Sequence, residues 1–170
     1  MNIKRFNAKL SLLENLIEHS DVSITNISTW TIGEHIEHTL KVNEEIFKLI
    51  LNCPEILIQK GSSISFIGRI VLLTKFIPQG KGKAPPHTQP VGISPESLLE
   101  KVEEVRKLLE QVHTRLEEMR QDKRSFGKHP YFGAMTRIQW LIFASVHQRH
   151  HLKIIEQIMR QADFSQKTKK

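Results

Sequence analysis

Along most of the chain, apolar residues recur every three or four positions with polar residues between them. This spacing is typical of an amphipathic α-helix. The pattern predicts helices over about residues 2–19, 31–52 and 94–122, and the last of these has the most regular spacing. A further helix is predicted from Thr136, where Thr-Arg-Ile-Gln has the spacing of a capping box, to about residue 161. These helices predict a bundle held together by shared apolar seams.

A shorter segment between the second and third of these helices has a less regular pattern. Residues 62–77 predict a short extra helix with Ile64, Ile67, Val71 and Phe76 facing inward. Many of its residues are β-branched, so a strand remains an alternative for this segment.

Two further segments predict loops. Residues 79–92 are rich in glycine, lysine and proline, which exclude a helix or a central strand. Residues 123–130 form a predicted basic loop, which leads through residues 131–133 to the start of the last helix at Thr136. The expected fold class is therefore all-α, in one domain over residues 1–170 with a disordered tail after about residue 161.

Composition narrows the functional classes. Hydrophobic residues make up 39% and charged residues 25% of the chain, as in soluble globular proteins. No apolar run is long enough to span a bilayer, the N-terminus lacks a signal-peptide core, and the single cysteine, Cys53, fits a reducing cytoplasm. A membrane is not an expected partner, because no run could span it. The net charge is +7, but no basic stripe is interleaved with aromatic residues, so nucleic acid is not an expected partner either.

Histidine is over-represented, with nine residues in the chain. His147 and His151 are four residues apart on the last predicted helix, and they share an otherwise apolar face that also carries Trp140. Two imidazoles on a buried face need partners for their ring nitrogens, and either neighbouring polar groups or a transition metal can supply them.

A third imidazole would come from the second helix, which carries His35 and His38. Two histidines from one helix and one from another give three nitrogen ligands in a bundle core. The fourth position then stays open to water or substrate, as at catalytic zinc sites. The apolar spacing of the second helix places His35 nearer to the buried stripe than His38, so spacing alone slightly favours His35.

Four stretches of the sequence resemble known proteins. Residues 30–38, WTIGEHIEH, resemble the second-helix signature of the DinB-like (YfiT-like) superfamily, a tryptophan followed eight residues later by a metal-binding histidine. Residues 147–151, HQRHH, are similar to the H-x-x-x-H pair near the C-terminus of the same superfamily. Residues 129–133, HPYFG, and 82–85, GKAP, are similar to an uncharacterised branch of it.

The resemblance implies a four-helix, up-down-down-up bundle that binds a divalent metal through His38, His147 and His151. His35 then becomes a reserve ligand or a hydrogen-bond partner of a ligand. Zinc or nickel is the first expectation for the metal, with iron or manganese as alternatives, and the resemblance also implies a homodimer. Leu152 and Ile154 stand where better-known members have an arginine and often a glutamine, so those two roles do not transfer to this chain.

The activity implied by the resemblance is that of a thiol-dependent S-transferase acting on a small molecule. In such an enzyme the metal holds a low-molecular-weight thiol as its thiolate, so no protein nucleophile is needed. A metal-dependent hydrolase and a non-catalytic metal-binding or stress-response protein are the alternatives. Lys81 and Lys83 in the middle loop are expected to be solvated, or to attract a carboxylate-bearing thiol as part of a lid.

Other residues are candidates for the surroundings of the metal. Glu34 completes a capping box with Thr31, and a carboxylate contact to an imidazole is its alternative role. His150 is rotated off the ligand face and is expected at the surface or at an interface. The full set of candidates for the surrounding pocket is Glu34, His35, Trp30, Trp140, His129 and His150.

Overall fold

The computed structural model describes residues 2–52, 54–58, 63–80 and 82–167, without the side chains of residues 165–167. Cys53, Lys81 and the first residue of the predicted segment 62–77 lie outside the described residues. Six α-helices occur within the described ranges, and they are α1 (Ile3–Asn15), α2 (Ile32–Asn52), α3 (Phe66–Thr74), α4 (Pro95–Thr114), α5 (Leu116–Gln121) and α6 (Arg137–Lys167). The prediction of a mostly helical fold is confirmed.

The helices pack as their apolar spacing predicts. α2 packs against both α4 and α6, and α1 packs against the same two helices. The stripe of α2 is fully buried at Ile36, Leu40 and Phe47, and the ring of Phe47 contacts that of Phe6 on α1 at 5.4 Å between centroids. These helices therefore share one apolar core.

Two short strands lie where the sequence predicted a loop over residues 123–130 and its connection to the last helix. β1 (Ser125–His129) and β2 (Gly133–Thr136) form an antiparallel hairpin, so the expectation of an all-α fold is wrong in this respect. The register shifts between Phe126 and His129, where Gly127 adopts a φ of 58°, a region that favours glycine. A short, bulged pair of strands lacks the regular alternation of apolar and polar residues by which strands are recognised in a sequence.

The ends of several helices differ from the prediction. α1 ends at Asn15, and the chain continues in a single 3₁₀ turn. The long helix predicted over 94–122 is broken at Arg115 into α4 and α5. α6 continues to Lys167, past the predicted end near residue 161, because no glycine or proline interrupts this stretch.

α3 confirms a helix rather than a strand in the segment after residue 62. The Ser65 side chain caps it by accepting the Gly68 N–H, and Lys75 ends it in the left-handed conformation. Ile64 and Val71 are buried as predicted, whereas Ile67 and Phe76 are exposed, so the inward orientation predicted for those two residues is wrong. In the described residues, no helix combines the length and the apolar character needed to cross a bilayer.

Candidate metal centre

Three histidines from two helices converge beside the core. His38 projects from α2, and His147 and His151 project from successive turns of α6. One ring nitrogen from each residue lies within 4.8 Å of those of the other two. The Nε2 atoms of His38 and His147 are 3.2 Å apart. We call these three residues the histidine triad.

The spacing of the triad suits a bound transition metal. Two imidazole nitrogens that bind one tetrahedral ion at about 2.0–2.1 Å are separated by roughly 3.3 Å. The 3.2 Å between His38 Nε2 and His147 Nε2 is close to this value. This pair therefore has the separation of two ligands to one ion. With the nitrogen of His151, within 4.8 Å of both, it forms a set that could hold a metal.

The tautomer of His38 is set by a backbone carbonyl. Its Nδ1 lies 2.7 Å from the carbonyl oxygen of Thr88. A carbonyl only accepts, so Nδ1 carries the proton and Nε2 directs its lone pair towards His147. Histidines that bind metals commonly donate their other N–H in this way, which fixes the ring and makes the ligating nitrogen more basic.

His151 has a second imidazole as its partner. Its Nδ1 lies 3.0 Å from Nδ1 of His35, so its Nε2 is the nitrogen left for an ion. His35 Nε2 in turn lies 2.9 Å from the hydroxyl of Ser28, which also accepts the backbone N–H of Trp30. The structure thus places His35 against a residue of the triad, whereas the spacing of α2 slightly favoured it as a ligand.

The imidazoles of this cluster are held in their neutral form. Burial, followed by the neighbouring histidines, keeps the pKa of His147 and that of His151 well below the usual value. Burial also lowers the pKa of His38, and it lowers the pKa of His35 to about 4. Since the neutral imidazole is the form that binds a metal, no proton has to be removed from these rings near neutral pH.

A loop that carries Thr88 is anchored to α2 by a buried carboxylate. Glu37, the residue before His38, is completely buried and accepts the backbone N–H groups of Val91, Gly92 and Ile93. Burial acts to raise its pKa, but the Lys41 ammonium and these amides outweigh burial and hold the pKa below the usual value. Sequence reasoning missed Glu37, because no spacing links it to residues more than 50 positions away.

The triad lies in the wall of an open cavity with a volume of about 660 Å³. Its walls are mostly apolar and aromatic, and the exposed Lys83 and Lys128 also contribute to the lining. Most of the residues that the sequence predicted around the metal line this cavity, and they are Trp30, His35, His129, Trp140 and His150.

The two tryptophans reach the cavity in different ways. The ring of Trp30 contacts His38 at 5.0 Å and His35 at 5.3 Å between centroids. Trp140 donates its indole N–H to the carbonyl of Phe126, which ties α6 to the hairpin. Both rings therefore form walls of the cavity.

His129 and His150 also line the cavity, and Glu34 does not. His129 Nδ1 accepts the backbone N–H groups of Tyr131 and Phe132, so its proton is on Nε2. The ring of His150 lies 5.1 Å from that of His151. The Glu34 carboxylate accepts the Thr31 N–H at 2.8 Å, as the capping-box interpretation predicts.

The family model of the DinB superfamily matches residues 11–155, a range that contains the whole histidine triad. Neither a search of curated proteins nor a search of solved structures finds a match.

Proposed function

The chain belongs to the DinB superfamily, and from this membership and the geometry of the triad we propose that it is a metal-dependent enzyme. His38, His147 and His151 would hold one divalent ion, with zinc or nickel as the first candidates and iron or manganese as alternatives. The observation that carries the proposal is the convergence of three neutral imidazoles, within 4.8 Å of one another, on the wall of an open cavity.

An ion with three imidazole ligands keeps an open position, and it would lower the pKa of a thiol or water that enters there. Residues of the chain orient the imidazole rings around this position. Thr88 orients the His38 ring through its carbonyl, and His35 does the same for His151 through its ring nitrogen. Trp30, Trp140 and Phe143 make the wall of the cavity around the triad largely aromatic.

The proposed reaction is the transfer of a low-molecular-weight thiol to a small electrophile. Family resemblance supports the thiol, and the cations Lys83 and Lys128 in the cavity lining suit a thiol that carries carboxylates. In this proposal the thiolate sulfur would form a bond to an electrophilic carbon while the bond between that carbon and its leaving group breaks. The leaving group departs with the electron pair, and the protein itself supplies no nucleophile. Hydrolysis by an activated water is the alternative reaction at the same position.

We further propose that α1, α2, α4 and α6 form the up-down-down-up bundle of the family. The packing of α1 and α2 against the same two partner helices supports this arrangement. α3, α5 and the hairpin are then additions to the bundle, and the hairpin contributes His129 to the cavity.

Elemental analysis of the purified protein tests the metal site. We expect about one transition-metal ion per chain in the wild type and its loss in His38→Ala, His147→Ala and His151→Ala. His113→Ala is the matched control, because His113 is an exposed histidine of α4. Wild-type protein without metal, also after incubation with zinc or nickel, would disprove the site.

Turnover by the metal-loaded protein tests the reaction. We expect thiol-dependent consumption of a chromogenic electrophile that is absent in His151→Ala. Hydrolysis of an activated ester without any thiol would instead assign the site to hydrolysis. A fully loaded protein that does neither would contradict the enzyme proposal and leave a metal-binding protein.

A further inference from the structure

The short helix α3 turns its apolar face to solvent. Phe66, Ile70 and Leu73 follow one another at spacings of four and three, and they are 76%, 44% and 83% exposed. The opposite face is the buried one, and it carries Gly68 and Val71. An ordinary surface helix has the reverse orientation, with its apolar stripe against the core.

Two neighbouring residues enlarge this apolar face. Ile67 and Phe76 are also more than half exposed, although the sequence predicted both to face inward. We call Phe66, Ile67, Ile70, Leu73 and Phe76 the α3 surface. Contiguous large apolar side chains on a soluble fold mark a contact with another protein or with a membrane.

The charge of this part of the chain distinguishes between these two partners. Residues 56–95 contain five lysines and arginines and no aspartate or glutamate, so this segment contributes much of the net charge of +7 that the whole chain carries. Two of these cations, Arg69 and Lys75, are exposed on α3 and at its end. Apolar side chains with a cationic border complement an anionic bilayer, where the apolar groups enter the headgroup boundary and the cations meet lipid phosphates.

A second copy of this chain is a poorer match to the same surface. Two α3 surfaces that meet about a two-fold axis would place Arg69 and Lys75 of both copies at one interface. No acidic side chain within residues 56–95 would offset that repulsion. Charge complementarity therefore favours the lipid surface.

We propose that the α3 surface docks this protein onto anionic phospholipid membranes without crossing them. The expectation of no membrane partner rested on the absence of a spanning segment, and docking of this kind needs none. Ile77, which follows the α3 surface directly, lines the cavity of the histidine triad. Docking would thus bring the cavity next to the lipid headgroups. The inference does not depend on a bound metal.

Co-sedimentation with vesicles tests the proposal on the full chain. We expect binding to vesicles rich in phosphatidylglycerol, little binding to pure phosphatidylcholine, and weaker binding as salt is added. Phe66→Ser and Leu73→Ser should each lower the partition coefficient about tenfold, because each removes a large apolar side chain from the boundary. Leu99→Ser is the matched control, since Leu99 is a partly exposed leucine on α4.

A charge variant and a measurement of self-association complete the test. Arg69→Gln combined with Lys75→Asn should weaken binding to the anionic vesicles, and asparagine suits the left-handed conformation at position 75. Absence of binding to phosphatidylglycerol vesicles would overturn the proposal, as would binding that Leu73→Ser leaves unchanged. A lipid-free dimer that Leu73→Ser dissociates would assign the α3 surface to a second copy and also overturn it.

Discussion

Nδ1 of His35 lies 3.0 Å from Nδ1 of His151, so a fourth imidazole is hydrogen-bonded to a member of the histidine triad. If an ion occupies Nε2 of His151, the proton of that ring is on Nδ1 and is donated to His35. His35 then donates its own Nε2–H to the Ser28 hydroxyl, 2.9 Å away. Metal binding thereby fixes the direction of a chain of hydrogen bonds that begins at His151 and ends at Ser28.

The first prediction concerns the metal affinity of a His35 variant. His35→Phe keeps an aromatic ring but removes the acceptor for His151, so we expect the affinity for zinc or nickel to fall about 10- to 100-fold. Competition with a chromogenic chelator measures this affinity directly, and the visible spectrum of the cobalt-loaded protein reports a change in ligand geometry.

His150 provides the matched control for this experiment. Its ring lies 5.1 Å from that of His151, nearly the same as the 5.2 Å for His35, but it makes no hydrogen bond to His151 within the described residues. His150→Phe should therefore leave the affinity almost unchanged. An equal loss in both variants would show that the hydrogen bond between His35 and His151 makes no specific contribution to the metal affinity.

The second prediction concerns the buried carboxylate of Glu37. Glu37→Gln removes the charge that pairs with Lys41 and accepts three consecutive backbone N–H groups, so the free energy of unfolding should fall by about 2–4 kcal/mol. Urea denaturation measures the change. Because residues 91–93 follow the turn that carries Thr88, the metal affinity should fall as well.

Glu44 offers a comparison on the same helix. It pairs with Lys48 and Lys101 but remains partly exposed, so Glu44→Gln should cost less than about 1 kcal/mol. If the two variants lost equal stability, the buried network around Glu37 would contribute no more to the free energy of unfolding than the partly exposed ion pairs of Glu44.

The third prediction concerns acid sensitivity through His129. Burial lowers the pKa of His129 to about 4, whereas the ordinary value in an unfolded chain is about 6.5. Between these two pH values the unfolded chain binds more protons than the folded protein, so the free energy of unfolding should decrease as the pH falls through this range. Above about pH 6.5 this contribution should be constant.

His129→Asn isolates that contribution. The asparagine carbonyl can replace Nδ1 as acceptor of the Tyr131 and Phe132 N–H groups, but asparagine does not titrate. Unfolding curves at several pH values should therefore show a smaller loss of stability between about pH 6.5 and 4 than the wild type. His113→Asn, at an exposed position, should keep the wild-type slope, and a wild-type slope in His129→Asn would refute the assignment.

The long helices and the shared face of His147 and His151 could be anticipated because both depend on local spacing. A seam from Leu98 to Val112 predicts a buried face wherever the helix lies, and His147 and His151 must share a face if their segment is helical. The choice between His35 and His38 could not be made by spacing, since both side chains are buried. Which ring nitrogen points where depends on side-chain direction, which spacing does not specify.

The remaining features depend on contacts that are distant in sequence. The carbonyl of Thr88 reaches His38 across 50 residues, and no local pattern encodes that contact. The outward face of α3 was misjudged for the related reason that periodicity identifies an apolar face but does not tell which way it turns. Ile67 and Phe76 were predicted to be buried on that assumption, and they are exposed.

The last prediction concerns Gln148, a fully buried residue of α6 whose amide nitrogen and oxygen have no hydrogen-bond partner among the described residues. An unpaired buried amide destabilises the folded state, so the nearly isosteric Gln148→Met should raise the free energy of unfolding by about 1 kcal/mol. Gln139→Met should do the opposite, because the Gln139 side chain accepts the Thr136 N–H at 2.9 Å and caps α6. Chemical denaturation of the two variants beside the wild type measures both signs. A loss of stability in Gln148→Met would instead indicate that a buried water pairs with the amide, because such waters are costly to remove.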